Sequence, residues 1–127
     1  MDGEDRRTAG HSVQKLEIWQ EAMTLAERVY ATTRRWPESE RYGLIAQSRR
    51  AAVSIPANLA EGIGRGTPPE RTRFGQIAMG SLYELATLLE LARRLSYLDE
   101  ATFLELEAAL SRLARRIHAY MDHWRQA

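Results

Sequence analysis

The chain has no cysteine, which excludes thiolate catalysis, zinc–thiolate sites and disulfide stapling and gives no hint of secretion. It also lacks any apolar run near the roughly twenty residues needed to cross a bilayer. Its opening stretch, MDGEDRRTAGHSVQK, mixes acids and bases and is unlike a secretory leader; a cytoplasmic protein with no membrane partner is expected. Lysine is almost missing: of 18 Lys and Arg residues, Lys15 alone is lysine. Arginine suits bidentate recognition of carboxylate or phosphate, yet a GC-rich coding bias accounts equally for the arginine and for the abundant alanine, and we take that simpler view. Nor does one sign of charge dominate. A formal net charge of +1 is small for a protein that neutralises many phosphates.

The scarcity of chemistry-bearing patterns narrows function further. The three histidines, His11, His118 and His123, form no Glu-x-x-His pair of the kind that builds a di-iron site in a helical bundle, so no metal or cofactor is expected. No hydroxyl nucleophile has an evident base, because His118 and His123 belong near the end of the last helix, where histidine commonly complements the helix dipole. The glycines of EGIGRG, Gly62, Gly64 and Gly66, follow a helix and not a strand, and no Lys-Ser/Thr ending follows them. They read as a C-cap and turn, not as a phosphate loop.

What the chain does have is helix. Proline and glycine gather around Pro37 and from Gly62 to Pro69, with Pro56 isolated between them. In the first helix Leu16, Trp19, Met23, Ala26, Tyr30 and Thr33 recur at steps of three and four, the stripe of a bundle helix. Arg34 and Arg35 follow in its last turn, and Pro37 stops it. Ser39 is the candidate cap of a second helix entered through Tyr42, Gly43 and Leu44. Thr67, Pro68 and Glu70 form a capping box for a third, with the stripe Phe74, Ala78, Ser81, Leu85, Leu88, Ala92, Leu95. Asp99 caps a fourth, with the stripe Phe103, Leu106, Leu110, Leu113, Ile117, Tyr120, Trp124. No segment alternates with a period of two. The expected fold is all-α: an antiparallel up-and-down four-helix bundle over residues 15–125, preceded by a disordered arm over residues 1–14.

The second helix differs from the others in having three sides. Leu44, Ser48, Ala52, Ile55, Leu59 and Ile63 can face the bundle core. Ala46, Val53, Ala57 and Ala60 make a strip of mostly small residues elsewhere, and a helix apolar on two separated sides is usually covered by more than its own bundle. We expect this strip to meet another subunit or a tightly packed helix. Pro56 removes the hydrogen bond to the Ala52 carbonyl and should kink the helix. The third side is polar: Gln47, Arg50, Ser54, Asn58, Glu61 and Arg65, with Arg49 beside it. We take these as a network that fixes helix register, with Glu84 of the third helix as a buried carboxylate partner for one of the arginines. A cleft holding a phosphate or carbonyl substrate is the alternative.

Several separated motifs resemble one family. YGLIAQSRRAAVSIPANLAEGIGR (Tyr42 to Arg65), IAMGSLYEL (Ile77 to Leu85) and LARRLSYL (Leu91 to Leu98) are similar to the small four-helix-bundle proteins named after intervening sequences in 23S ribosomal RNA genes. LEIWQEAMTLAERVY and WPESERYGL add to the likeness, which covers about residues 16–122. Gln47, Arg49, Arg50, Ser54, Asn58, Glu61, Gly62, Arg65, Gly80, Ser81 and Glu84 match the family motif. Ser96 stands where the family often has glycine. The resemblance implies a homo-oligomer, with a pentamer the favoured arrangement. It also implies kinship with the accessory variability determinant proteins of diversity-generating retroelements, which are pentamers that bind a reverse transcriptase and nucleic acid.

The resemblance and that kinship imply a scaffold that binds RNA, DNA or a nucleic-acid-processing protein, and we expect a non-enzymatic oligomer of this kind. Arg34, Arg35, Arg112, Arg115 and Arg116 are the candidate nucleic-acid contacts. The alternative is an adaptor oligomer that works through protein contacts alone.

Overall fold

The computed structural model describes residues 16–126, so the expected arm over residues 1–14 lies outside the described residues. These residues form four α-helices and no strand: α1 (Glu17–Thr33), α2 (Leu44–Arg65), α3 (Pro68–Arg94) and α4 (Glu100–Arg125). Each helix packs on the next in sequence, α1 also touches α4, and the α2–α3 contact is the most extensive. The result is a four-helix bundle around one apolar core.

The core of α2 is the stripe its sequence suggests. Leu44, Ser48, Ala52, Ile55, Leu59 and Ile63 are all buried. In α4 the stripe holds from Phe103 to Ile117 and then closes on Met121, leaving Tyr120 and Trp124 half-buried. In α3 the core takes Leu82 in place of Ser81, and Leu95 is exposed. The larger departure is in α1, where Ile18, Ala22, Leu25, Ala26, Val29 and Thr33 are buried. Met23 and Tyr30 of the expected stripe are 40% and 38% exposed. Both phases fit the helical repeat, and apolar residues occupy two adjacent sides of α1. Packing against α2 and α4 chooses the side with Ile18, Leu25 and Val29.

The helix ends follow local chemistry. Thr67 caps α3, its hydroxyl accepting from the Glu70 N–H at 3.4 Å, and Asp99 caps α4 by accepting from the Thr102 N–H at 2.7 Å. Ser39 caps nothing, because Glu38–Glu40 is a 3₁₀ turn and α2 begins only at Leu44. Glu40 does that work, its Oε1 accepting from the Leu44 N–H at 3.1 Å while its Oε2 accepts from the Tyr97 hydroxyl at 2.9 Å. The carboxylate so placed holds Tyr97 above the usual phenol pKa, with burial acting in the same direction. One side chain thus ties the α1–α2 connection to the α3–α4 connection, beside the buried Trp36.

Arg34 and Arg35 fall just beyond the last turn of α1, with Arg34 at its C-cap. α2 runs unbroken through the buried Pro56 and through Gly62 and Gly64, so of the three glycines Gly66 alone, at φ 82°, is the left-handed cap. Gly62 has a different role: a Cβ there would stand 3.1 Å from Arg71 Cα and Phe74 Cβ, so its absence lets α2 and α3 close on each other.

Charge pairs link α1 to α4. Arg116 meets Glu17 and Glu21, Arg112 lies 3.6 Å from Glu21, and Arg28 lies 3.5 Å from Glu105. Hydrogen bonds from Arg93 and Arg94 hold the Glu90 carboxyl down to about 2. Among the described residues no helix is long and apolar enough to cross a membrane.

α3 ends in a Schellman turn, with the Tyr97 N–H donating to Ala92 O at 2.9 Å and the Ser96 N–H to Arg93 O at 3.0 Å. That turn puts Ser96 at φ 66°, a left-handed backbone that glycine adopts more readily than serine. Ser96→Gly is expected to stabilise the fold by roughly 0.5–1 kcal/mol in urea unfolding; a loss of stability would contradict this account of the turn.

Candidate functional site

The polar side of α2 divides into separate pieces. Arg49 turns toward α1: its Nε donates to Thr33 Oγ1 at 2.9 Å, its Nη2 donates to Tyr30 O at 3.4 Å, and its guanidinium lies 4.5 Å over the Tyr30 ring. A cation set against the carbonyls at the end of α1 complements that helix's dipole. Ser54 turns toward α3, its hydroxyl 2.8 Å from that of Ser81. Asn58 Nδ2 donates to Ser54 Oγ at 2.9 Å and to Ser54 O at 2.8 Å. Glu61 and Arg65 form an exposed pair at 3.1 Å, and the Arg65 guanidinium lies 5.0 Å over Phe74. Gln47 and Arg50 are exposed.

The expected single network is therefore not closed, and Glu84 is not its buried carboxylate. Glu84 is exposed, because the run from Ile77 to Leu89 is not all core: Ile77 is 41% exposed and Tyr83 lies outward with it. Among the described residues neither Glu84 nor Arg50 has an ion-pair or side-chain hydrogen-bond partner. Both line a groove of about 830 Å³ together with Tyr30, Tyr42, Val53 and Ser54. Tyr42 is 87% exposed at its rim. Among the described residues no histidine lines this groove, and its two serine hydroxyls are bonded to each other. Among the described residues no group of three or more His, Cys, Asp or Glu side chains is placed to hold a metal ion.

The alanine strip lies on the surface of the single chain. Val53 is 44% exposed, Ala57 is exposed, and Ala46 and Ala60 are half-buried. Sequence reasoning missed that this face reaches α1, since it assigned Tyr30 to the core. The signal that was available is the second apolar side of α1, from which Tyr30 lines the groove with Tyr42 and Val53. The arginines proposed for nucleic acid are dispersed. Arg112 and Arg116 are engaged by glutamates of α1, whereas Arg34, Arg35 and Arg115 are exposed and without an ion pair among the described residues. Arg35 lies close enough to Asp99 to help lower its carboxyl pKa, after the larger effect of the Thr102 hydrogen bonds.

A bundle whose second helix carries a polar side, a small-residue side and a core side, with an open groove toward α3, defines a class of small all-α proteins. The chain belongs to the family described as 23S rRNA-intervening sequence protein, whose profile matches residues 14–119. Among solved structures it is similar to a protein of unknown function from the S23 ribosomal protein family of Bacteroides thetaiotaomicron VPI-5482. That similarity has a TM-score of 0.73 at 18% identity and covers 82% of this chain and 97% of the other. At that identity it shows a shared fold. No curated protein sequence matches the chain.

Ser54→Ala would leave Ser81 Oγ and Asn58 Nδ2 short of a half-buried partner between α2 and α3. It is expected to cost about 1–2 kcal/mol in urea unfolding, and an unchanged midpoint would show that water replaces the hydroxyl freely.

Proposed function

We propose that the chain is a non-enzymatic cytoplasmic scaffold: an antiparallel up-and-down four-helix bundle that assembles with copies of itself and acts through protein contacts. One observation carries this proposal. Tyr42 and Val53 line the groove and are exposed, and Ala57 and Ile77, one helical turn from Val53 and Ser81, are exposed as well, whereas monomeric proteins seldom expose large apolar patches without a binding role. Small residues on that side permit a close helix–helix approach. The family resemblance implies a pentamer. The antiparallel topology is supported by the α1–α4 ion pairs, whose order reverses from Glu17 with Arg116 to Arg28 with Glu105.

A second reading, in which the assembly also binds RNA, DNA or a nucleic-acid-processing protein, draws on exposed Arg34, Arg35 and Arg115. Repetition around a symmetry axis would gather such scattered cations into one basic face.

Light scattering coupled to size exclusion is expected to give a discrete oligomer at low and high salt. Ala57→Leu should lower its mass or raise the concentration needed to assemble. Structured RNA should leave the elution unchanged. A shift with RNA at low salt that is lost on replacing Arg34, Arg35 and Arg115 with alanine would favour the second reading, and a monomer at every concentration would overturn the scaffold.

A further inference from the structure

The groove between α2 and α3 holds two opposite charges, Arg50 and Glu84, with no ion-pair or side-chain hydrogen-bond partner among the described residues. Arg50 stands on the side of α2 that also carries Val53 and Ala57, at steps of three and four, and Glu84 stands on the side of α3 that carries Ile77 and Ser81 at the same steps. On the same two helices other charges are paired: Glu61 with Arg65, Glu70 with Arg73, and Glu90 with Arg93 and Arg94. Arg50 and Glu84 line one groove yet make no ion pair with each other.

A partner that fills the groove over Val53 also takes both charges out of water. An unpaired charge in a closed interface is costly, so the partner must bring an anion to Arg50 and a cation to Glu84. A nucleic acid supplies only the first, and its phosphates are repelled by Glu84. Copies of this chain carry both, a Glu84 for Arg50 and an Arg50 for Glu84.

We infer that the groove is completed by a second copy of the chain, with Arg50 of one subunit paired to Glu84 of the next. This rests on the scaffold reading and goes beyond it, because it makes each groove a site built from two subunits. The small residues bring the backbones close, Val53 and Ile77 supply apolar contact, and the Arg50–Glu84 pair sets which faces meet and in what register.

The test uses the full chain and three variants, Arg50→Glu, Glu84→Arg and the double exchange, compared by light scattering over a concentration series. Both side chains are exposed, and an unchanged helical circular dichroism signal confirms that each variant folds. Each single reversal is expected to weaken assembly roughly tenfold or more by setting like charges together, and the double exchange to restore it. If the wild-type chain assembles and the single reversals change nothing, the pairing is overturned while the scaffold stands. Single reversals that weaken assembly without rescue by the double exchange also overturn the pairing. A wild-type monomer at all concentrations removes the scaffold, and the inference with it.

Discussion

The packing of α2 along α3 is the contact on which the rest of the bundle depends. At Gly62 the lack of a side chain admits the first turns of α3, and farther along the contact is bridged by the Ser54–Ser81 hydroxyl pair. With α2 fixed there, its stripe from Leu44 to Ile63 must face inward. Arg49 then reaches the end of α1 and binds it through Thr33 and Tyr30. Two flanks of α2 are thereby used within the chain. The third, with Val53 and Ala57, is left facing outward and gives the molecule a surface that its own fold does not cover.

Much of this was legible in the sequence, and the failures have physical causes. The core of α2 was readable because its large apolar residues occupy one side and small or polar residues the others. The caps Thr67 and Asp99 were readable because a short oxygen-bearing side chain before a helix has one efficient use. The phase of α1 was not, since Trp19, Met23 and Tyr30 compete with Ile18, Leu25 and Val29 at the same period. Periodicity gives the helix, and only packing against neighbours tells which apolar side turns inward.

The polar side of α2 shows the same limit. Its residues were identified from their spacing, but spacing along one helix does not say which neighbour each side chain meets. Arg49 serves α1, Ser54 serves α3, Asn58 bonds back to Ser54 within α2, and Arg50 and Glu84 face the groove. Glu84 was expected to be buried because leucines surround it, yet Ile77 and Tyr83 near it are exposed too. An apolar run broken by a carboxylate can therefore mark an exposed helix face as well as a core with an internal ion pair. The arginines divide similarly: Arg112 and Arg116 join α4 to α1, which leaves fewer of them free for an anionic partner.

The central claim is that the outer side of α2 is covered by another copy of the chain. Because the chain has no cysteine, a single cysteine placed at Val53 reports its own accessibility to a maleimide without background. The decisive measurement is its labelling rate at assembling concentration, set against Gln126→Cys at the exposed end of α4. Marked protection at position 53 but not at 126, relieved on dilution, is the result this account predicts. Equal and fast labelling of both at every concentration would contradict it.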